Sequence, residues 1–178
     1  KSSSEREYRV YFRRWWILVI FMLMIVSNAT LWVTFAPISD IAEDYFGDAG
    51  STTRVNMLAI IFLISYPLGT LIEVKCMQLW KLRGTILVGG CFSFLGSLFR
   101  VLAAYIQSEE GNNTSTVYFV MLFGQFLAAL AQPLFMNCPA SISASWFPPE
   151  ERDISTALGS LSSPLGNAIG SVLPILFV

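Results

Sequence analysis

The apolar residues of this 178-residue chain fall in five blocks, each roughly twenty residues long and almost free of charge, which is the length a helix needs to cross about 30 Å of hydrocarbon. Core helices of soluble proteins seldom run so far without a polar face. Composition points the same way: 54% of residues are hydrophobic and 13% charged, the latter about half the charged share of an average soluble domain. The pattern predicts an all-α, polytopic bundle of transmembrane helices held in a lipid bilayer.

Residues 1–14 read as a basic tail, with Arg6, Arg9, Arg13 and Arg14 ahead of the Trp15-Trp16 pair. The predicted spans within 15–178 cover about 15–38, 54–77, 85–107, 117–145 and 155–178. The first follows a basic start as a signal peptide would, but it is longer than the apolar core of one and has no clear cleavage site, so it reads as a retained helix. Pro37 ends or kinks it. An acidic loop with Asp40, Glu43, Asp44 and Asp48 follows, and Lys75, Lys81 and Arg83 mark a short basic turn between the second and third spans. Pro133 and Pro139 predict a bend in the long fourth span. The last span runs to Val178 with no polar tail, so the chain reads as cut off inside a larger protein.

Charge sets the orientation. A cytoplasmic N-terminus puts Arg6, Arg9, Arg13, Arg14, Lys75, Lys81, Arg83 and Arg152 inside and mostly Asp and Glu outside, as the positive-inside rule requires. The stretch from Asn112 to Ser115 contains two overlapping N-x-S/T sequons in a loop that charge already places outside, which makes Asn112 and Asn113 glycosylation candidates. The net charge of −1 is spread over short connecting segments, with no basic patch of the nucleic-acid kind. Cys76, Cys91 and Cys138 are scattered and the chain has no histidine, so neither a metal site nor a disulfide framework is expected. No catalytic constellation is visible, no cofactor is implied, and the chain is not read as an enzyme.

What stands out is polar and aromatic material inside the spans. Asn28 and Trp32 are one turn apart on one face of the first span. An indole face holds a quaternary ammonium or other soft cation by cation–π attraction, while the alternative for Trp32 is plain packing or anchoring at the outer interface. In the fourth span Gln125 and Gln132 lie two turns apart on one stripe, and Asn137 follows Pro133. Amides at this depth line a cavity or bond neighbouring helices; both roles are open for Gln132, and helix bonding is favoured for Gln125. Arg100 sits towards the outer end of the third span, where it either snorkels to the headgroups, pairs with Asp40 or Asp44, or meets substrate. Glu73, beside Lys75 at the inner end of the second span, suggests an ion pair or a gate. The small residues of the last span, with Gly166 and Gly170 in a GxxxG pattern, allow close helix approach.

These residues resemble the N-terminal half of a major facilitator superfamily transporter, and within it the feline leukaemia virus subgroup C receptor-related family, solute carrier family 49. The resemblance rests on Arg13-Arg14-Trp15-Trp16, Ser27-Asn28-Ala29 with Trp32, Gly124-Gln125, Ala131-Gln132, Pro139 to Trp146-Phe147, and Gly166 to Gly170 with Pro174. It implies a twelve-helix fold of which this chain supplies the first five, the missing C-terminal half forming the opposing wall. It also implies transport of a small organic solute that is choline- or ethanolamine-like, haem-related or pyridoxine-like, at the plasma membrane or an endolysosomal membrane. In choline carriers of the family a helix-one tryptophan and a helix-four glutamine line the pocket, falling on Trp32 and Gln132, with Asn28 and Asn137 as further candidates. Ile61 or Phe62 lies near the position of their helix-two tyrosine, with Tyr66 a turn away. The turn from Gln78 to Gly84 lacks the acidic residue usual in the superfamily, which leaves Glu73 to take a gating part. The rival reading is a non-transporting receptor or scaffold subunit.

Overall fold

The structure, a computed structural model, describes residues 12–46, 51–110 and 114–177. Among these it is helical, with no strand: α1 Arg13–Val33, α2 Ser39–Phe46, α3 Ser51–Glu110, α4 Thr114–Met136, α5 Pro139–Trp146, a single 3-10 turn Pro149–Glu151, and α6 Arg152–Phe177. The sequons at Asn112 and Asn113 lie outside the described residues.

A continuous 60-residue helix would be about 90 Å long, yet α3 brings its two ends together. Val55 and Leu58 share one apolar cluster with Ala103, so the chain folds back, and it does so at Lys81, whose φ of 55° and ψ of −166° are non-helical. Side chains other than glycine avoid this backbone region. Gly84 makes the reversal possible, because a Cβ there would fall 2.1 Å from the Cβ of Trp80. The break lies within the basic stretch between the second and third apolar blocks.

Contacts fix how the rods run. Gln125 of α4 reaches Leu58, and Tyr118 reaches Arg54, so α4 is parallel to residues 51–80 of α3 and antiparallel to 82–110. Arg14 meets Glu151 and Thr30 meets Gly166, which sets α1 and α6 parallel. The short α2 caps the far end, where Ala42 joins the cluster of Val55 and Val117.

The helices are apolar on both their inward and their outward faces. The inward stripe of α1 is Leu18, Phe21, Ile25, Asn28 and Ala29, a spacing of three and four residues that marks one helix face. Outside it, Leu63, Leu71, Leu87, Phe94, Val101 and Phe119 are each about two-thirds exposed. An apolar surface of this extent is not left to water; it faces lipid. Three helical stretches, Arg13–Val33, Thr52–Gln107 and Ser115–Met136, are long and apolar enough to cross a membrane, the middle one holding the length of two crossings. At 26 residues α6 has the length, but its serines, glycines and Asn167 leave it less apolar.

With water absent, helices adhere by close packing of small residues. A Cβ at Gly96 would lie 2.7 Å from the carbonyl oxygen of Gly124, and one at Gly166 would lie 2.6 Å from that of Val26. The GxxxG pair of α6 thus packs directly on α1: a Cβ at Gly170 would fall 2.9 Å from the oxygen of Thr30. The bend anticipated in the fourth span is a break. α4 ends at Met136, and α5 starts at Pro139, since Pro139 has no N–H to continue the hydrogen-bond ladder.

Candidate functional site

The polar side chains inside the bundle lie in three layers. In the middle layer Asn28 is buried, and its Nδ2 donates to the carbonyl oxygen of Ala128 at 2.8 Å and to Ser93 Oγ at 3.1 Å. It ties α1 to α4 and to the second half of α3.

Towards the end capped by α2, Arg100 turns inward. Its Nη1 donates to the carbonyl oxygen of Leu31 at 3.0 Å and to Gln125 Oε1 at 3.2 Å, and its guanidinium carbon sits 4.8 Å from the centre of the Phe35 ring. Among the described residues it forms no ion pair. Pairing with Asp40 is therefore corrected, while the Asp44 side chain lies outside the described residues: Arg100 is half-buried, and its Nη1 donors go to a carbonyl and an amide of neighbouring helices. Gln125 is fully buried and passes the connection on, its Nε2 donating to the carbonyl oxygen of Leu58 at 3.2 Å. This is the helix-bonding role its position suggested.

Towards the opposite end, Glu73 is buried and accepts a hydrogen bond from Asn137 Nδ2 at 3.0 Å. Its partner is an amide on the far side of Pro133, not the adjacent Lys75. The break between α4 and α5 places Asn137 there, exposed on one side and bonded to Glu73 on the other.

Trp32 packs on an apolar patch, and Gln132 lies one turn further along α4. The Trp32 ring lies 6.2 Å from that of Phe62, centre to centre, and Phe62 packs with Ala128 and Ala129 of α4. Gln132 is three residues beyond Ala129 and so on the same face. It is largely buried, yet its amide has no hydrogen-bond partner among the described residues. Trp32 is half-buried. Of the site residues Trp32 lies on the patch, while Asn28 bonds α4 and the second half of α3 and Asn137 lies with Glu73. Of the two residues near the helix-two tyrosine position, Phe62 is the one in contact with Trp32.

Sequence reasoning missed the junction at the basic end. Arg14 is buried and pairs with Glu151 at 2.8 Å. Trp15 packs edge-on against Phe147, with ring centres 5.1 Å apart, and the Arg14 guanidinium lies 5.6 Å from the Phe147 ring. Arg152 donates to the carbonyl oxygens of Phe147 and Ala144. The basic tail and the loop before α6 each carried charge and aromatic residues, but no local pattern signals that they meet. No group of three or more His, Cys, Asp or Glu that could hold a metal ion occurs among the described residues.

No family model matches the chain. It is 30% identical over 177 residues to solute carrier family 49 member A3 of Xenopus tropicalis, covering 97% of this chain and 35% of that protein. It is 30% identical over 178 residues to an uncharacterised MFS-type transporter of Caenorhabditis elegans, covering 100% of this chain and 28% of that protein. To the choline/ethanolamine transporter FLVCR1 of Mus musculus it is 28% identical over 171 residues, covering 93% of this chain and 28% of that protein. The chain spans about a third of the length of the curated relatives it matches.

Proposed function

The chain belongs to solute carrier family 49, the feline leukaemia virus subgroup C receptor-related branch of the major facilitator superfamily, and from that membership we propose that it forms the first five membrane helices of a transporter for a small organic solute. The transporter works by alternating access, with the solute held between this half and a second half that closes over it. Its N-terminus is cytoplasmic, at the plasma membrane or an endolysosomal membrane. The solute is choline- or ethanolamine-like, the class named for the FLVCR1 relative, with haem-related and pyridoxine-like solutes as the alternatives.

One observation carries this reading: the Gln132 amide lies largely buried at membrane depth with no protein partner among the described residues, one turn of α4 beyond the alanines that pack with Phe62 and Trp32. An amide held largely inside the bundle without a protein partner is retained where a ligand or cavity water completes it. A cation above the indole gains about 2 kcal/mol when desolvated. Trp32 supplies the cation face and Gln132 the hydrogen bond. Asn28 holds the helices behind them. Asn137 and Glu73 form a polar pair at the inner end, where a gate would act.

The test is uptake of labelled choline, ethanolamine, pyridoxine and haem by cells expressing the full-length parent protein, compared with Trp32→Ala and Gln132→Ala at equal surface expression. For a cationic solute, Trp32→Ala is expected to weaken affinity by roughly thirtyfold. Uptake of every candidate left unchanged by both substitutions refutes the assignment. Absence of uptake by the unmodified protein would favour a receptor or scaffold instead.

A further inference from the structure

At the basic end, where α1, α5 and the reversal of α3 meet, a cavity of about 750 Å³ opens between Arg13, Ile17, Leu82, Arg83, Ile86, Leu87, Ile142 and Trp146. Its floor is apolar, with Ile142 fully buried. Leu87, at its flank, is 67% exposed on the lipid-facing surface, so the cavity is open sideways to hydrocarbon. The two arginines and Trp146 are its polar lining, and no acidic side chain lines it among the described residues.

The electrostatics single out Arg13 and Arg83. The neighbouring Arg14 is neutralised by Glu151, whereas neither Arg13 nor Arg83 has a carboxylate partner among the described residues. Arg83 is held in place, its guanidinium carbon 5.7 Å from the centre of the Trp146 ring. An adjoining cavity shares Leu82, Arg83 and Trp146 and adds Lys81 and the exposed Trp80. Cations at the rim, apolar walls below and indoles at the boundary match, group by group, a phosphate-bearing headgroup joined to an acyl chain.

We propose that this cavity binds an anionic phospholipid, its phosphate between Arg13 and Arg83 and the start of one acyl chain along Ile17, Ile86 and Leu87. Two guanidinium groups at the rim, one of them held against Trp146, recognise a phosphate through charge-assisted hydrogen bonds, and a basic cluster at the cytoplasmic surface meets the leaflet that is rich in anionic lipid. The site is independent of which solute the protein carries. It joins the three segments that come together at this end, so a bound lipid stabilises the junction of α1 with α5.

The experiment uses the full-length parent protein, purified in detergent and stripped of lipid, with binding followed by native mass spectrometry and thermal unfolding. Dioleoyl phosphatidylserine, dioleoyl phosphatidylcholine and inorganic phosphate are titrated separately. Phosphatidylserine is expected to bind at least tenfold more tightly than phosphatidylcholine and to be undisturbed by millimolar inorganic phosphate. Arg13→Gln with Arg83→Gln should weaken phosphatidylserine binding about thirtyfold, Arg13→Lys with Arg83→Lys should restore most of it, and Lys75→Gln should leave it unchanged. Equal binding of the two lipids, competition by inorganic phosphate, indifference to the double glutamine variant, or no lipid binding at all each overturns the proposal. Should the double variant not fold, Leu87→Trp carries the test by filling the cavity: the same loss supports the site and unchanged affinity overturns it.

Discussion

Arg100 donates from a single nitrogen to Leu31 of α1 and Gln125 of α4, and Gln125 in turn donates to Leu58, so one guanidinium links four helical segments at the end of the bundle capped by α2. Leu31 immediately precedes Trp32, which makes Arg100 a positioning residue for the stretch of α1 that carries the indole.

Arg100→Ala should therefore cost about 2–3 kcal/mol of stability, the range for a charge-assisted hydrogen bond whose buried acceptors are left unpaired. Gln125→Leu should cost a similar amount. The double variant should cost clearly less than the sum, because the two side chains share a bond. Thermal unfolding in detergent measures all three, and strict additivity would show that the link carries no energy.

The ion pair between Arg14 and Glu151 makes a different prediction. Arg14 is buried, and its Nε and Nη1 have no partner of their own, so Glu151 is the group that compensates the charge. Glu151→Gln leaves a buried cation unpaired and should destabilise by about 2 kcal/mol, below the range for a fully buried pair because Glu151 remains a third exposed. Arg14→Met combined with Glu151→Gln removes the charge altogether and should recover part of the loss. If the double variant proves less stable than Glu151→Gln alone, packing of Arg14 against Trp15 and Phe147 outweighs its charge.

These two links show what a linear reading reaches. Helical character follows from block length and charge exclusion, the reversal of α3 falls in a stretch already marked as a basic turn, and the GxxxG pair of α6 meets a backbone as its pattern suggested. The role of Gln125 was also legible, because an amide at that depth needs a partner. Partner identity was not. Arg14 and Glu151 are 137 residues apart, and neither the basic tail nor the loop before α6 signals the other. The position of Arg100 near the helix end favours snorkelling, whereas its direction depends on a carbonyl of α1 and an amide of α4 that only the tertiary fold brings near. For Glu73 the sequence offers its neighbour Lys75 as an ion-pair partner, or a gating part. A side chain two residues along a helix points away, and Asn137 across the groove supplies the bond.

Gly166 is a steric prediction. A Cβ there would approach the carbonyl oxygen of Val26 to 2.6 Å and the Cβ of Ala29 to 2.7 Å, and backbone cannot yield as a flexible side chain can. Gly166→Ala should cost about 1–3 kcal/mol by overpacking, and Gly166→Leu should prevent α6 from docking on α1. Gly159→Ala is the control, its nearest neighbour being a Pro139 side-chain carbon at 3.1 Å, and it should cost less. Resistance of the purified protein to proteolysis within 147–152 reports docking directly, and equal behaviour of the Gly159 and Gly166 variants would refute the close contact.

Asn28 and Gln132 test the proposed division between helix adhesion and ligand binding. Both are amides at membrane depth on the inner faces of their helices, but Asn28 Nδ2 is committed to Ala128 and Ser93 whereas Gln132 has no partner among the described residues. Asn28→Ala removes two interhelical bonds, each worth about 0.6 to 1.7 kcal/mol in a membrane protein, so it should lower the melting temperature and surface expression while leaving KM for uptake nearly unchanged. Gln132→Ala deletes no protein–protein bond and should leave stability intact while raising KM at normal expression. Measured side by side in the full-length parent, the two variants should split cleanly along these lines. A rise in KM for Asn28→Ala with wild-type stability would move Asn28 from the scaffold into the pocket, and a loss of stability without a KM effect for Gln132→Ala would make Gln132 structural.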